Sequence, residues 1–144
     1  MSGFLFSKGK ALAAVLFVLK ELGGKVDKYK LARILYCADK KHLLGYARLV
    51  TGDQYIAMPV GPVPVGIYEE IEKSTCFSSD GNIVISYQAP DMKLLSKTDI
   101  DCLSESIVEN KDLLLGDLEN KSNGEPISVS DMAKEAGASD ELIK

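Results

Sequence analysis

The chain has 144 residues, 46% of them apolar, and a formal charge of −4, which suits one domain that buries about two-thirds of its unfolded surface and folds without disulfide staples. Its three cysteines, Cys37, Cys76 and Cys102, are odd in number and far apart, which fits reduced thiols in a cytoplasm better than paired ones in a secreted protein. The charge is split along the chain, with ten bases and three acids (+7) in residues 1–50 but seven bases and eighteen acids (−11) in residues 51–144. Either a basic face meets an acidic partner, or the two halves pair internally.

In chain order, the apolar run 11–19 follows Lys8 and Lys10 much as a signal peptide would. Lys20 and Glu21 close it where a small-residue cleavage site would stand, and nine residues cannot cross a hydrocarbon layer of about 30 Å. Being apolar nearly all round, it reads as a core helix over 8–22 that stops at Gly23-Gly24. A second helix starts near Asp27, whose carboxylate can cap it, and runs to Gly45 with Leu31, Ile34, Leu35 and Ala38 packed on the first.

The period then changes. Residues 51–58 read as a strand ended by Pro59, and Gly61-Pro62-Val63-Pro64 as a stiff corner opening a short helix with Ile67, Tyr68 and Ile71. Residues 78–82 carry turn chemistry and 83–87 alternate as a second strand, expected to pair with the first. Ser96-x-x-Asp99 is a capping box for a helix whose face is Ile100, Leu103, Ile107 and Val108. A polar loop over 116–128, a short helix over 130–136 stopped by Gly137, and a turn capped by Ser139 complete the chain. The fold class is α+β: one predominantly helical domain over 1–144 with a small antiparallel sheet, 116–144 being a polar loop and short C-terminal helices.

The block LYCADKKHLLGYARLVTGDQYIAMPVGPVPVGIY, residues 35–68, resembles the Panacea domain of the SocA-like antitoxins, also called the phage-associated protein GepA family, carried by prophages and toxin–antitoxin operons. It keeps the order of a Leu-Tyr-x-x-Asp helix, a Thr-Gly-Asp turn, Tyr-Ile-Ala-Met-Pro, and Gly-Pro-Val-Pro before a Tyr. The resemblance runs from Leu12 to Tyr87 and returns in EPISVSDMAKEAGAS; a segment with His and Trp that members often carry after the second strand's helix is missing, and Trp is absent throughout. It implies an antitoxin that binds a toxin encoded nearby, masking it or handing it to a cytosolic ATP-dependent protease, with self-association also allowed.

The residues themselves offer little chemistry. The lone histidine, His42, follows Asp39 by one turn, so the expectation is a structural Asp39–His42 pair; Cys37 lies about 140° away around the helix. There is no CxxC, HExxH, calcium loop or phosphate loop, so neither a metal nor a cofactor is expected. Tyr36 and Tyr55 are expected at the core margin, Thr51, Gly52, Gly61 and Pro64 as structural turns. Tyr46, Arg48, Asp53, Pro62 and Tyr68 are the candidate partner contacts, because they stand on or beside rigid loops.

Three function classes follow. The first is a non-enzymatic, cytoplasmic antitoxin or phage-associated accessory protein working by protein–protein contact, with no membrane involvement. The second is a winged-helix-like nucleic-acid binder using Lys25, Lys28, Lys30, Arg33, Lys40, Lys41 and Arg48, against which stands a pI near 5.0. The third is a small enzyme using His42 and Asp39, which has no nucleophile, metal or glycine-rich cradle to work with.

Overall fold

The structure is a computed structural model and describes residues 6–59, 61–110, 126–128 and 130–132. Helix α1 (Lys8–Glu21) is capped by the Ser7 hydroxyl and buries eight of its residues, from Ala11 to Leu19. That burial on every side is what an apolar run without a polar stripe requires. Leu22 closes the helix, and Gly23 and Gly24 then turn the chain at φ of 88° and 96°.

Strand β1 (Lys25–Asp27), not anticipated from the sequence, follows at once. It is three residues long and defined only by pairing with a strand almost sixty positions on, a non-local signal that local periodicity does not carry. Asp27 caps helix α2 (Lys28–Tyr46) through the Tyr29 and Lys30 N–H groups at 2.8 and 3.2 Å. The helix ends one residue past Gly45, with Ala47 in the left-handed region at φ 59°.

The strand expected over 51–58 is β2 (Tyr55–Met58) only; residues 51–54 are bent around the carboxylates described below. The Gly61-Pro62-Val63-Pro64 corner is a strand, β3 (Gly61–Pro64), paired antiparallel with β2 in the register Tyr55↔Pro64 and Ala57↔Pro62. Prolines survive there because β3 lies at the sheet edge and both fall on one side of it. Val65, the next residue on the other side, still donates its N–H to the Gln54 carbonyl at 3.0 Å.

Helix α3 (Val65–Lys73) buries Ile67 and Ile71. Part of the segment expected to be a turn is instead strand β4 (Ser78–Asp80), which hairpins through Gly81 and Asn82 into β5 (Ile83–Ile85). The two strands expected to pair with each other do not. Among the described residues the strands form two three-stranded antiparallel sheets, ordered β1-β5-β4 and β3-β2-β6, with β6 (Pro126–Ile127) inside the stretch read as loop. Each expected strand found a nearer hairpin partner, which costs less chain entropy than pairing across α3.

A 3₁₀ turn at Met92–Leu94 leads to helix α4 (Lys97–Asn110). The capping box is present: the Asp99 N–H donates to Ser96 Oγ at 3.0 Å and the Ser96 N–H to Asp99 Oδ2 at 2.8 Å. Leu103 and Ile107 are buried as expected, but Val108 is 68% exposed, one position off that face. The turn at 130–132 is capped from Ser128, whose Oγ accepts from Asp131 N–H. The expected loop over 116–125, the helix remainder 133–136, Gly137 and Ser139 lie outside the described residues.

The main core joins α1, α2 and α4 with Val26, Ile67, Ile71 and Val84. A smaller one gathers Tyr36, Leu43, Leu49, Tyr55 and Met132. Tyr36 and Tyr55, expected at a core margin, are fully buried and meet edge to face at 5.0 Å.

Candidate functional site

The polar residues of the 35–68 block converge on the bend between α2 and β2. Asp39, fully buried on the inner face of α2, accepts four hydrogen bonds. Its Oδ1 takes the Val50 and Thr51 N–H groups at 2.7 and 2.8 Å; its Oδ2 takes the Thr51 and Tyr55 hydroxyls at 2.7 and 2.6 Å. Burial pushes the Asp39 carboxyl above its ordinary range, and the four donors pull it partly back. The Tyr55 hydroxyl is driven well up by burial and by facing that carboxylate, so it stays a donor.

Asp53 performs the same service for α3. Pro64 stands at that helix's N-cap with no capping side chain, and Asp53 reaches across to accept from Gly66 N–H at 3.0 Å and Ile67 N–H at 2.8 Å. It also holds the Gln54 N–H at 2.8 Å, while its own N–H bonds Thr51 Oγ1. Burial raises its carboxyl, and the helix N–H groups oppose that. Gly66 is required by this geometry, since a β-carbon there would come within 2.8 Å of Asp53 Oδ1.

The third carboxylate is Asp99. Lys10 Nζ and Arg48 Nη1 approach it at 3.0 and 3.1 Å, and the Ser96 N–H completes its shell. Burial alone would raise its carboxyl, but the bonds from Ser96, Lys10 and Arg48 together hold it below the usual carboxylate range. Arg48 also bonds Ser96 Oγ and the Leu49 carbonyl, so one side chain ties the end of α2 to the start of α4.

His42 does not pair with Asp39, contrary to the expectation from their spacing. All four donors on Asp39 come from the bend and β2, and His42, one turn on, faces α4. Its Nδ1 lies 2.8 Å from the Arg48 carbonyl, which can only accept, so Nδ1 carries the proton. Nε2 then accepts from Thr98 Oγ1 at 2.9 Å. Burial and the nearby Arg48 and Lys10 charges outweigh Asp99 and the Arg48 carbonyl and lower the His42 pKa, so the 3.4 Å approach of Nε2 to Asp99 is no ion pair near neutral pH.

These three carboxylates have fully committed partners, and the arrangement holds chain segments in place. Among the described residues no group of His, Cys, Asp and Glu is placed to hold a metal ion. The Cys102 thiol is buried, and that burial pushes its pKa up, away from a reactive thiolate.

The five expected contact residues are dispersed. Tyr46 is 53% exposed at the end of α2, beside the Arg48 that links to Asp99. Tyr68 is half-buried and gives its hydroxyl to the Lys28 carbonyl at 2.6 Å. Asp53 and Pro62 are buried, the first capping α3 and the second inside the β2–β3 hairpin. From the sequence Asp99 is legible only as a cap, Lys10 only as a charge ahead of the apolar run, and Val108 only as a core position that proves to be exposed. Lys10 and Asp99 are 89 positions apart, and nothing local marks their pairing.

The charge split has a structural answer. Lys8–Glu70, Lys10–Asp99, Lys41–Glu109 and Arg48–Asp99 each join a base from residues 1–50 to an acid from beyond residue 50. Internal pairing therefore uses part of the basic first third.

Such a chain is an α+β module whose signature polar residues build its own frame. It belongs to the family described as Antitoxin SocA-like, Panacea domain, whose model matches residues 31–127. The match begins in α2 rather than at Leu12 and continues beyond Tyr87 through α4 to β6. No curated protein and no solved structure matches the chain significantly.

Proposed function

We infer that this antitoxin-like domain binds a cognate toxin encoded beside it and neutralises it by protein–protein contact, masking it or presenting it to a cytosolic ATP-dependent protease, without chemistry of its own. Family membership supports an antitoxin-like role in general. The observation that carries the finer reading is that Asp39, Thr51, Asp53 and Tyr55 are spent on internal hydrogen bonds, which leaves surfaces, not a reaction centre, as what the domain offers. On this reading Tyr46, Arg48 and Tyr68 contribute at the contact, while Asp53 and Pro62 act from beneath by fixing the β2–β3–α3 corner.

The nucleic-acid alternative loses part of its basic set to internal pairing, since Lys41 is engaged by Glu109 and Arg48 by Asp99. No helix among the described residues is long and apolar enough to cross a membrane. The test is coexpression with the neighbouring open reading frame, followed by affinity capture of the chain. Stoichiometric recovery of a product that is toxic alone supports the reading. A harmless neighbour that fails to co-purify overturns it.

A further inference from the structure

The end of α2 and the outer face of α4 enclose an open groove of about 500 Å³, lined among others by Lys41, Leu44, Tyr46, Asp101, Cys102 and Glu105. Leu44 and Tyr46, which line it, are 47% and 53% exposed, and Val108, one turn beyond the lining residue Ser104 on α4, is 68% exposed. Val108 continues the α4 stripe of Asp101 and Ser104 at helical spacing. Leu44 and Tyr46 bring apolar surface to the groove that no described element covers.

The polar rim is acidic and incompletely neutralised. Glu105 is 65% exposed and its nearest base, Lys41, is 3.8 Å away but bonded to Glu109 at 2.8 Å. Among the described residues the base that meets Asp101 is Lys97, which is 89% exposed and held loosely at 3.3 Å. The carboxyl end of α2 adds partial negative charge and has no basic residue in its last turn.

We propose that this groove is the docking surface for a basic amphipathic helix of a partner protein, with apolar residues on Leu44, Tyr46 and Val108 and Lys or Arg against Asp101 and Glu105. The proposal deepens the toxin-binding reading and rests on it for the partner's identity, though not for the groove's chemistry. Helix-in-groove recognition needs this combination of apolar anchors and charged rim.

The experiment is an amide NMR titration of the full chain with a synthetic leucine–lysine amphipathic peptide and, separately, its leucine–glutamate counterpart. Shifts confined to residues 41–46 and 101–108 are expected with the basic peptide alone. The pair Asp101→Lys and Glu105→Lys should weaken binding about tenfold at low salt, and Leu44→Asp with Val108→Asp by at least as much. Glu72→Lys, on exposed α3 surface, should change it little.

Shifts elsewhere, no binding, or equal loss from Glu72→Lys would overturn the proposal, and the wild-type shift map decides even if a variant folds poorly. An intact toxin complex beside a silent peptide titration removes the groove and keeps the antitoxin reading. Groove binding beside a harmless neighbour does the reverse.

Discussion

Replacing Asp39 by Ala removes one buried carboxylate and leaves the Val50 and Thr51 N–H groups without their acceptor. Two stranded backbone donors cost about 2–6 kcal/mol. Release of an ionised group from a site whose burial already raises its pKa returns part of that, leaving about 2–4 kcal/mol of a typical total of about 5–15. Asp39→Asn keeps Oδ1 for both N–H groups and asks the Thr51 and Tyr55 hydroxyls to turn and accept, so it should cost only about 1 kcal/mol. The pH dependence isolates the part played by the carboxyl's ionisation. A carboxyl raised by folding contributes stability that is full below its unfolded pKa, near 3.9, and is lost as pH rises through the folded value. The penalty of Asp39→Asn should therefore be larger near pH 4 than near pH 7, measured by urea unfolding with m-values unchanged. Equal Ala and Asn penalties, both under about 0.5 kcal/mol, would place Asp39 among ordinary surface positions and refute the reasoning.

Gly66→Ala, which would stabilise an ordinary helix, should destabilise this one by about 1–3 kcal/mol, because its β-carbon displaces the capping Asp53; a thermal melt that shows a gain would contradict the cap. Ala47→Gly relieves a left-handed alanine at φ 59° and should stabilise by about 1 kcal/mol in the same assay. His42, the sole histidine, gives a clean imidazole NMR signal: the Nδ1–H tautomer is expected, titrating below its ordinary 6.5. A base depressed by folding contributes stability that is present above its unfolded pKa and lost as pH falls through the folded one. A His42 pKa above 6.5 would mean a charged pair with Asp99 instead.

The helices were legible because their signals are local. Ser96-x-x-Asp99, Asp27 before an amphipathic run, and Gly23-Gly24 each act within a few residues, and each performs as its chemistry suggests. The sheets were not, because β1 and β6 exist only through partners distant in sequence, and because paired prolines in β3 read as a breaker until an edge position excuses them. The Asp39–His42 spacing was a true helical neighbourhood that tertiary contacts overrode. Asp39 found four donors on the bend, and His42 found Thr98 and the Arg48 carbonyl. Of the candidate contacts, exposure at Tyr46 was readable from its place at a helix end. The burial of Asp53 came from the start of α3, whose N–H groups it holds, and that of Pro62 from β3 packing on α2, which no spacing within the motif reveals.

The most direct measurement is the growth of bacteria in which the neighbouring open reading frame is induced with and without this chain. Arrest by the neighbour alone, relieved by the wild-type chain and by its Glu72→Lys variant but not by Leu44→Asp with Val108→Asp, is the predicted result. Unimpaired growth with the neighbour alone, or arrest that the wild-type chain leaves unrelieved, would contradict the account.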